Sequence, residues 1–251
     1  MKFIAVIPAR AGSKSIKNKN LHQLNEKPLI HNVIKQLQHS RLIEKIVVAT
    51  STNPEDDVIE NYLNEINVDC FRGSMDDLID RHYECAKKFK FSAIVRIPCD
   101  KPFIDPQIVD DIISLFSLDT YDYVSNFPFP LKFNIGIEVE IFSFTALEKA
   151  WKNSSDHLER EHIFPYFHNN RNEFKMLYSP SLEKYSSYRL TVDRIEDYKL
   201  VTLLSKKINK SPVLFSEILK IFKQQPKLKK INKNINFNEG QLRSIEKMKK
   251  S

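Results

Sequence analysis

Glycine is scarce. Only Gly12, Gly73, Gly136 and Gly240 occur in 251 residues, so each marks a candidate turn or a close approach of ligand to backbone. The glycine-spaced GxxxxGK[ST] phosphate loop is absent, which excludes a P-loop ATPase or kinase of that type. The three cysteines, Cys70, Cys85 and Cys99, are odd in number and show no CxxC spacing. That excludes a disulfide framework and a thiolate zinc site, and fits reduced thiols. No apolar run approaches the ~20 residues a membrane span needs. The N-terminal run Phe3–Pro8 is too short for a secretory leader. A cytoplasmic location is the expectation. Internal repeats and low-complexity linkers are also missing.

What remains is a globular composition, 41% hydrophobic, enough for a sizeable core. The net charge of +7 is unevenly spread: residues 199–251 hold 14 Lys or Arg against 3 Glu, whereas residues 1–198 hold 25 against 29 Asp or Glu. A basic tail suits nucleic acid or a membrane surface. This one is poor in Arg and has no interleaved aromatics, so a solvated helical surface is the plainer reading, with no nucleic acid partner and no membrane insertion. The expected organisation is a domain over 1–205 and a basic helical extension over 206–251, packed on or near it.

Apolar runs at Lys2–Ile7, Lys45–Thr50, Val68–Phe71 and Ser92–Ile97 alternate with amphipathic stretches over 28–38, 55–66 and 75–89. Strand and helix in turn predict an α/β fold, a doubly wound, mostly parallel sheet with helices on both faces. Ile137–Phe142 alternates and predicts an antiparallel extension. Asp122–Asn126 and Leu190–Val192 read as short strands. Asp105 before Pro106, and Ser143 before Phe144, read as helix starts. Helices are expected over 158–169, 195–204, 215–224 and 239–249. In such sheets ligands bind beyond the carboxyl ends of the strands, here residues 8–20, 49–54, 72–77 and 98–105.

The first of these segments, PARAGSKSIKNKN, concentrates Arg10, Lys14, Lys17 and Lys19 with Gly12 and two serine hydroxyls. Backbone amides and positive charge together suit a polyphosphate; an ordinary solvated basic loop has the same composition. Asp100 follows a strand and a proline, as a Mg²⁺ ligand beside a triphosphate would. Asp193, after Leu190–Val192, suits either a second metal ligand or a helix cap.

The stretch IPARAGSKSIKNKNL resembles the N-terminal motif of the sugar-acid cytidylyltransferases, the CMP-Kdo and CMP-sialate synthetases. VVATSTNPEDD, FRGSMDDLIDRHYECA, VRIPCDKPFIDP, GIEVEIFSFTALEKAW, EREHIFPY and LTVDRIEDYKLV extend the resemblance, in order and spacing, to the spore-coat-polysaccharide branch. The Rossmann-like nucleotidyltransferase fold is implied, together with transfer of CMP from CTP to an anionic acceptor such as a sugar acid, with Mg²⁺ as cofactor and a homodimer as the assembly. A phosphonate or polyol phosphate acceptor, or a glycosyltransferase using a finished nucleotide sugar, stays open.

By the same resemblance, Ala9, Arg10, Gly12, Ser13, Lys14 and Lys19 wrap the CTP phosphates, with Arg10, Lys14, Lys19 and Asp100 in the chemistry. Thr50, Ser51, Arg72 and Gly73 line the base pocket. Asp100 and Asp193 hold the metal. Lys101, Glu138, Arg160 and His162 face the acceptor. Lys101 and Glu138 depart from the branch, which usually has a small or apolar residue and an Asp at these places. The RIPCDKP stretch differs from the uncharged one of sialate synthetases, so sialic acid is not singled out.

Overall fold

The computed structural model describes residues 2–12, 19–127 and 135–236. Its strands are β1 (Phe3–Pro8), β2 (Gln23–Leu24), β3 (Lys27–Pro28), β4 (Lys45–Ser51), β5 (Asp69–Gly73), β6 (Ala93–Arg96), β7 (Tyr123–Ser125), β8 (Glu140–Ser143) and β9 (Met176–Tyr178). Its α-helices are α1 (Leu29–Leu37), α2 (Asp57–Glu65), α3 (Leu78–Phe89), α4 (Pro106–Ser117), α5 (Phe144–Asn153), α6 (His157–His162), α7 (Phe164–Asn169), α8 (Ile195–Ser205) and α9 (Phe215–Gln224). No helix among the described residues is long and apolar enough to cross a membrane.

Seven strands form one sheet in the order β5-β4-β1-β6-β8-β7-β9. β5, β4, β1 and β6 run parallel, β8 is antiparallel to both β6 and β7, and β9 is parallel to β7. The alternation of β1 explains why the sheet is buried on both sides. Phe3, Ala5 and Ile7 face one cluster with Val33 of α1, Ile59 of α2 and Val109 of α4. Ile4 and Val6 face the other, with Ile79 of α3, Leu147 of α5 and Phe167 of α7. A third cluster joins β2, α8 and α9 with Phe103, Ile135, Leu190 and Val192. Phe215, Ile218 and Phe222 are buried in it, so α9 packs against residues from the first half of the chain.

The expected helix starts at Asp105 and Ser143 are present. Asp105 accepts from Gln107 N at 2.8 Å and also from Phe215 N at 2.7 Å; Ser143 Oγ accepts from Ala146 N at 3.0 Å. Three local readings differ. The 158–169 helix is two helices, broken at Ile163, which has φ +56°. Leu190–Val192 is not a strand: it crosses the sheet ends as an extended segment, with Leu190 N on Ile135 O at 2.6 Å and Val192 N on Asp100 O at 2.9 Å. The hairpin β2–β3 and the edge strand β9 are too short for a hydrophobic period to reveal. The helix expected at 239–249 lies outside the described residues.

Among the described residues, Gly136 is the one glycine that the backbone demands. Its φ is +98°, and a Cβ there would lie 2.5 Å from Thr191 N and 2.8 Å from Leu190 C. Gly136→Ala is therefore expected to destabilise by about 3 kcal/mol, from left-handed strain plus overpacking against backbone that cannot retreat. Chemical denaturation of the two proteins measures the difference.

Candidate active site

The sequence places a basic loop after β1, and the fold brings the described residues at its far end, Lys19 and Asn20, to the end of β6. Asn20, buried, is the hinge of this arrangement: its Nδ2 donates to Arg10 O at 2.9 Å and its Oδ1 accepts from Cys99 Sγ at 2.8 Å. Burial pushes the Cys99 thiol up to about 12, so it stays protonated and acts as a donor. The start of the loop is held from the other side. Asp56, also buried, accepts from Ala11 N at 2.6 Å and from Ser51 N at 3.1 Å, and takes the Ser51 hydroxyl as well. Burial works against this carboxylate, but the bonds from Ser51 and Ala11 outweigh it and hold its pKa below the usual range.

Lys19 then enters a cleft between two carboxylates 93 positions apart in sequence. Its Nζ lies 3.3 Å from Asp100 Oδ2 and 3.0 Å from Asp193 Oδ1, and donates to Val192 O at 3.0 Å. Asp100 sits just beyond β6, and Asp193 just before α8. Burial opposes the charge on Lys19, but Asp100 and then Asp193 raise its pKa. Burial pushes Asp100 up against the pull of Lys19, whereas Lys19 and Arg189 bring Asp193 down. Among the described residues no group of three or more His, Cys, Asp or Glu side chains is gathered to hold an ion. A pair of carboxylates gripping one cation is nevertheless the donor set that suits Mg²⁺, which completes its shell with phosphate oxygens and water. The Lys19 ammonium, positive and equidistant within 0.3 Å, stands between the two as a cation would.

Behind Asp193 lies a brace that the sequence reading missed. Arg189 donates from NH2 to Asp193 Oδ2 at 3.0 Å and to Asp197 Oδ2 at 3.0 Å, and from Nε to Asp197 Oδ1 at 2.9 Å. Asp197 is fully buried. It also accepts from Asp193 N, Arg194 N and Asn232 Nδ2 at 3.1, 3.0 and 2.8 Å. Asn232 returns to Arg189 O at 3.0 Å. The available signal was weak: Arg189, Asp193 and Asp197 recur at a spacing of four, but only Asp197 lies within α8 and residues 189–192 are not helical.

The remaining expected site residues are placed as follows. Lys101 and Glu138, 3% and 1% exposed, are buried against each other at 3.2 Å. Glu138 also takes the amides of Ile135 and Gly136. That pair fixes the Gly136 turn. Arg160 is spent on Ser154 O, Trp151 O and Asp77 at 2.8, 2.6 and 3.0 Å. Arg72 clamps β5 to β4 and α2 through Ser51 O, Asn53 O, Asp57 and Glu60. Thr50 and Ser51 are fully buried at the end of β4. Gly73 ends β5, accepts from Thr52 N and has Phe71 where a Cβ would go. Ala9 is buried and donates to Ala49 O at 3.1 Å; Gly12 is exposed at the loop mouth. His162, at the end of α6, is part-exposed beside Glu161, and burial is the main cause of its lowered pKa. Ser13 and Lys14 lie outside the described residues.

The family model for cytidylyltransferases matches residues 4–247. The chain belongs to the cytidylyltransferase family. It is 36% identical over 237 residues to the protein MJ1063 of Methanocaldococcus jannaschii, covering 94% of this chain and 96% of that one. It is 28% identical to the spore coat polysaccharide biosynthesis protein SpsF of Bacillus subtilis, over 89% and 95% of the two chains. Among solved structures, a cytidylyltransferase from Leptospira borgpetersenii superposes with a TM-score of 0.86 at 31% identity, covering 94% of this chain and 98% of the other. Shorter stretches are similar to 3-deoxy-manno-octulosonate and N-acylneuraminate cytidylyltransferases. As a family member the chain is a CTP-using nucleotidyltransferase.

Proposed function

We propose that this cytidylyltransferase transfers CMP from CTP to a sugar acid of the ulosonic type, supplying a surface polysaccharide. The observation that carries the reading is the convergence of Lys19, Asp100 and Asp193 at the carboxyl ends of β1 and β6, where a doubly wound sheet binds its ligands. Similarity to cytidylyltransferases for such acids over part of the chain supports the acceptor class.

In this reaction an acceptor oxygen attacks the α-phosphorus of CTP. The new O–P bond forms as the bond to the bridging oxygen breaks, and pyrophosphate departs with its charge. Mg²⁺ held by Asp100 and Asp193 would supply Lewis-acid stabilisation of the phosphate oxygens. The chain's own part is positioning and charge neutralisation. Arg10, fixed by its bond to Met75 O at 2.8 Å, and Lys19 face the phosphates. Asn20 and Asp56 hold the loop that presents them. Arg189 and Asp197 keep Asp193 aimed into the cleft.

Pyrophosphate release with Mg²⁺, each of the four NTPs, and a panel of Kdo, nonulosonates, phosphonates and polyol phosphates tests the proposal. Release with CTP and one sugar acid is the expected result; release only with a phosphonate or polyol phosphate would reassign the acceptor. Lys19 makes a second expectation. Because its ammonium occupies the cleft between the carboxylates, Lys19→Met should bind Mn²⁺ without nucleotide at least about tenfold more tightly than wild type. A contact-range charge is worth ~1–4 kcal/mol between water and a protein surface. Electron paramagnetic resonance of free Mn²⁺ reads the affinity directly.

A further inference from the structure

Three arginines meet on the α3 face of the sheet with two carboxylates near them. Arg96 ends β6, Arg81 lies on α3, and Arg10 follows β1. Arg10 NH1 donates to Met75 O at 2.8 Å and Arg81 NH1 to Ser74 O at 2.9 Å, adjacent carbonyls of the β5–α3 connection. Glu140 of β8 is bonded to Arg96 NH1, but it also accepts the Tyr123 hydroxyl at 3.0 Å. The other carboxylate near Arg81, Asp56, has its oxygens on Ala11 and Ser51. Arg81 is only 2% exposed. Arg81 Nε and Arg96 Nε are both buried without a hydrogen-bond partner among the described residues. Burial, then the charge of Arg10, pushes the Arg81 guanidinium down to about 10, with Arg96 adding to the effect. Buried guanidinium N–H groups are ordinarily paired. Three positive charges against two carboxylates that are already hydrogen-bonded, with two open N–H donors, describe a site that an oxyanion completes.

We propose that Arg81 and Arg96 form an oxyanion site for the anionic group of the acceptor. The assignment to the acceptor rests on the nucleotidyl-transfer reading above. The strand order supports it for Arg96, whereas Arg81, on α3, packs beside Gly73 at the end of β5. β4 and β5 lie on the side of β1 where the base pocket is expected, and β6 and β8 lie on the other. Arg96 stands opposite Glu140 of β8 and four residues before Asp100, on the acceptor's side of the cleft. His162 approaches from α6, close enough for Arg96 and Arg10 to lower its pKa. Lys101 and Arg160 are spent on structure, which leaves His162 as the other basic residue of the set the sequence suggested.

Sulfate serves as the oxyanion probe, and pyruvate carries the keto-carboxylate end of an ulosonic acid. The single tryptophan, Trp151, donates to Asp80 at 2.8 Å, the residue before Arg81, and so reports fluorescence changes beside the site. Titrations of the full chain, with and without saturating CTP, should show saturable binding of both probes that CTP leaves in place. Arg96→Gln should weaken that binding at least tenfold while CTP affinity, by calorimetry, stays within twofold; intact CTP binding also certifies its fold. Arg81→Gln should do the same. Displacement of the probes by CTP would hand the arginines to the nucleotide phosphates and overturn the proposal. So would an equal loss of CTP affinity in Arg96→Gln, or no saturable binding to wild type. Failure of wild type to bind CTP would count against the nucleotide reading alone, since the oxyanion site stands or falls on the probe titrations.

Discussion

Asp100→Asn should lower kcat about 10³-fold while leaving the fold and CTP affinity close to wild type. The size follows from the work asked of the carboxylate. Lewis-acid stabilisation at a transferring phosphoryl group is worth several kcal/mol, and each 1.36 kcal/mol is tenfold in rate. The asparagine keeps the shape and one acceptor oxygen but loses the charge that, in the proposed mechanism, would hold a divalent cation. Folding should survive, because Lys19 retains Asp193 at 3.0 Å and Val192 O at 3.0 Å, and Val192 N still bonds the backbone of residue 100. Steady-state pyrophosphate release, thermal unfolding and CTP calorimetry on the same preparation separate these effects. Near-normal turnover would remove Asp100 from the chemistry. A collapse of the unfolding temperature with the activity would make it a structural residue.

Arg189→Met should do the opposite: a large loss of stability first, with activity falling as a consequence. Arg189 is the only cation bonded to Asp197 among the described residues, and Asp197 is fully buried. Three N–H donors would still surround the carboxylate, but no positive charge. Removing one partner of a buried pair costs about 3–5 kcal/mol, which at this chain length lowers Tm by about 10 °C. Asp193 loses its second anchor in the same substitution, so turnover measured well below the new Tm should also fall about tenfold or more. Arg189→Lys restores charge but not the forked geometry and belongs between the two. An Arg189→Met protein as stable as wild type would show that the Asp197 network is not electrostatically demanding.

The parallel half of the sheet was legible because each of its strands is a continuous apolar run and each helix between carries an amphipathic stripe. Asp105-Pro106 and Ser143 announced α4 and α5 by side-chain chemistry alone. The insertion of β8 between β6 and β7 was not legible, since the pattern Ile137–Phe142 gives a strand but no neighbour. The carboxylates Asp100 and Asp193 could be picked out from their places after apolar runs. Their contact through Lys19 could not, because it depends on how residues 190–193 cross the sheet ends. The placements of Lys101, Glu138, Arg160 and Arg72 share one feature. A charged residue near a site is expected to face it, and each of these turns inward to satisfy backbone or a buried partner. Arg189 and Arg81 were overlooked for the converse reason: nothing in a linear string distinguishes an arginine that folding will bury.

Asn232 bonds Arg189 and Asp197 from a segment 43 and 35 positions further along the chain. In a genetic screen for loss of activity, missense alleles at this remote asparagine should therefore map with those at Asp193, and second-site suppressors of either should be sought around Arg189 and not in the loop after β1.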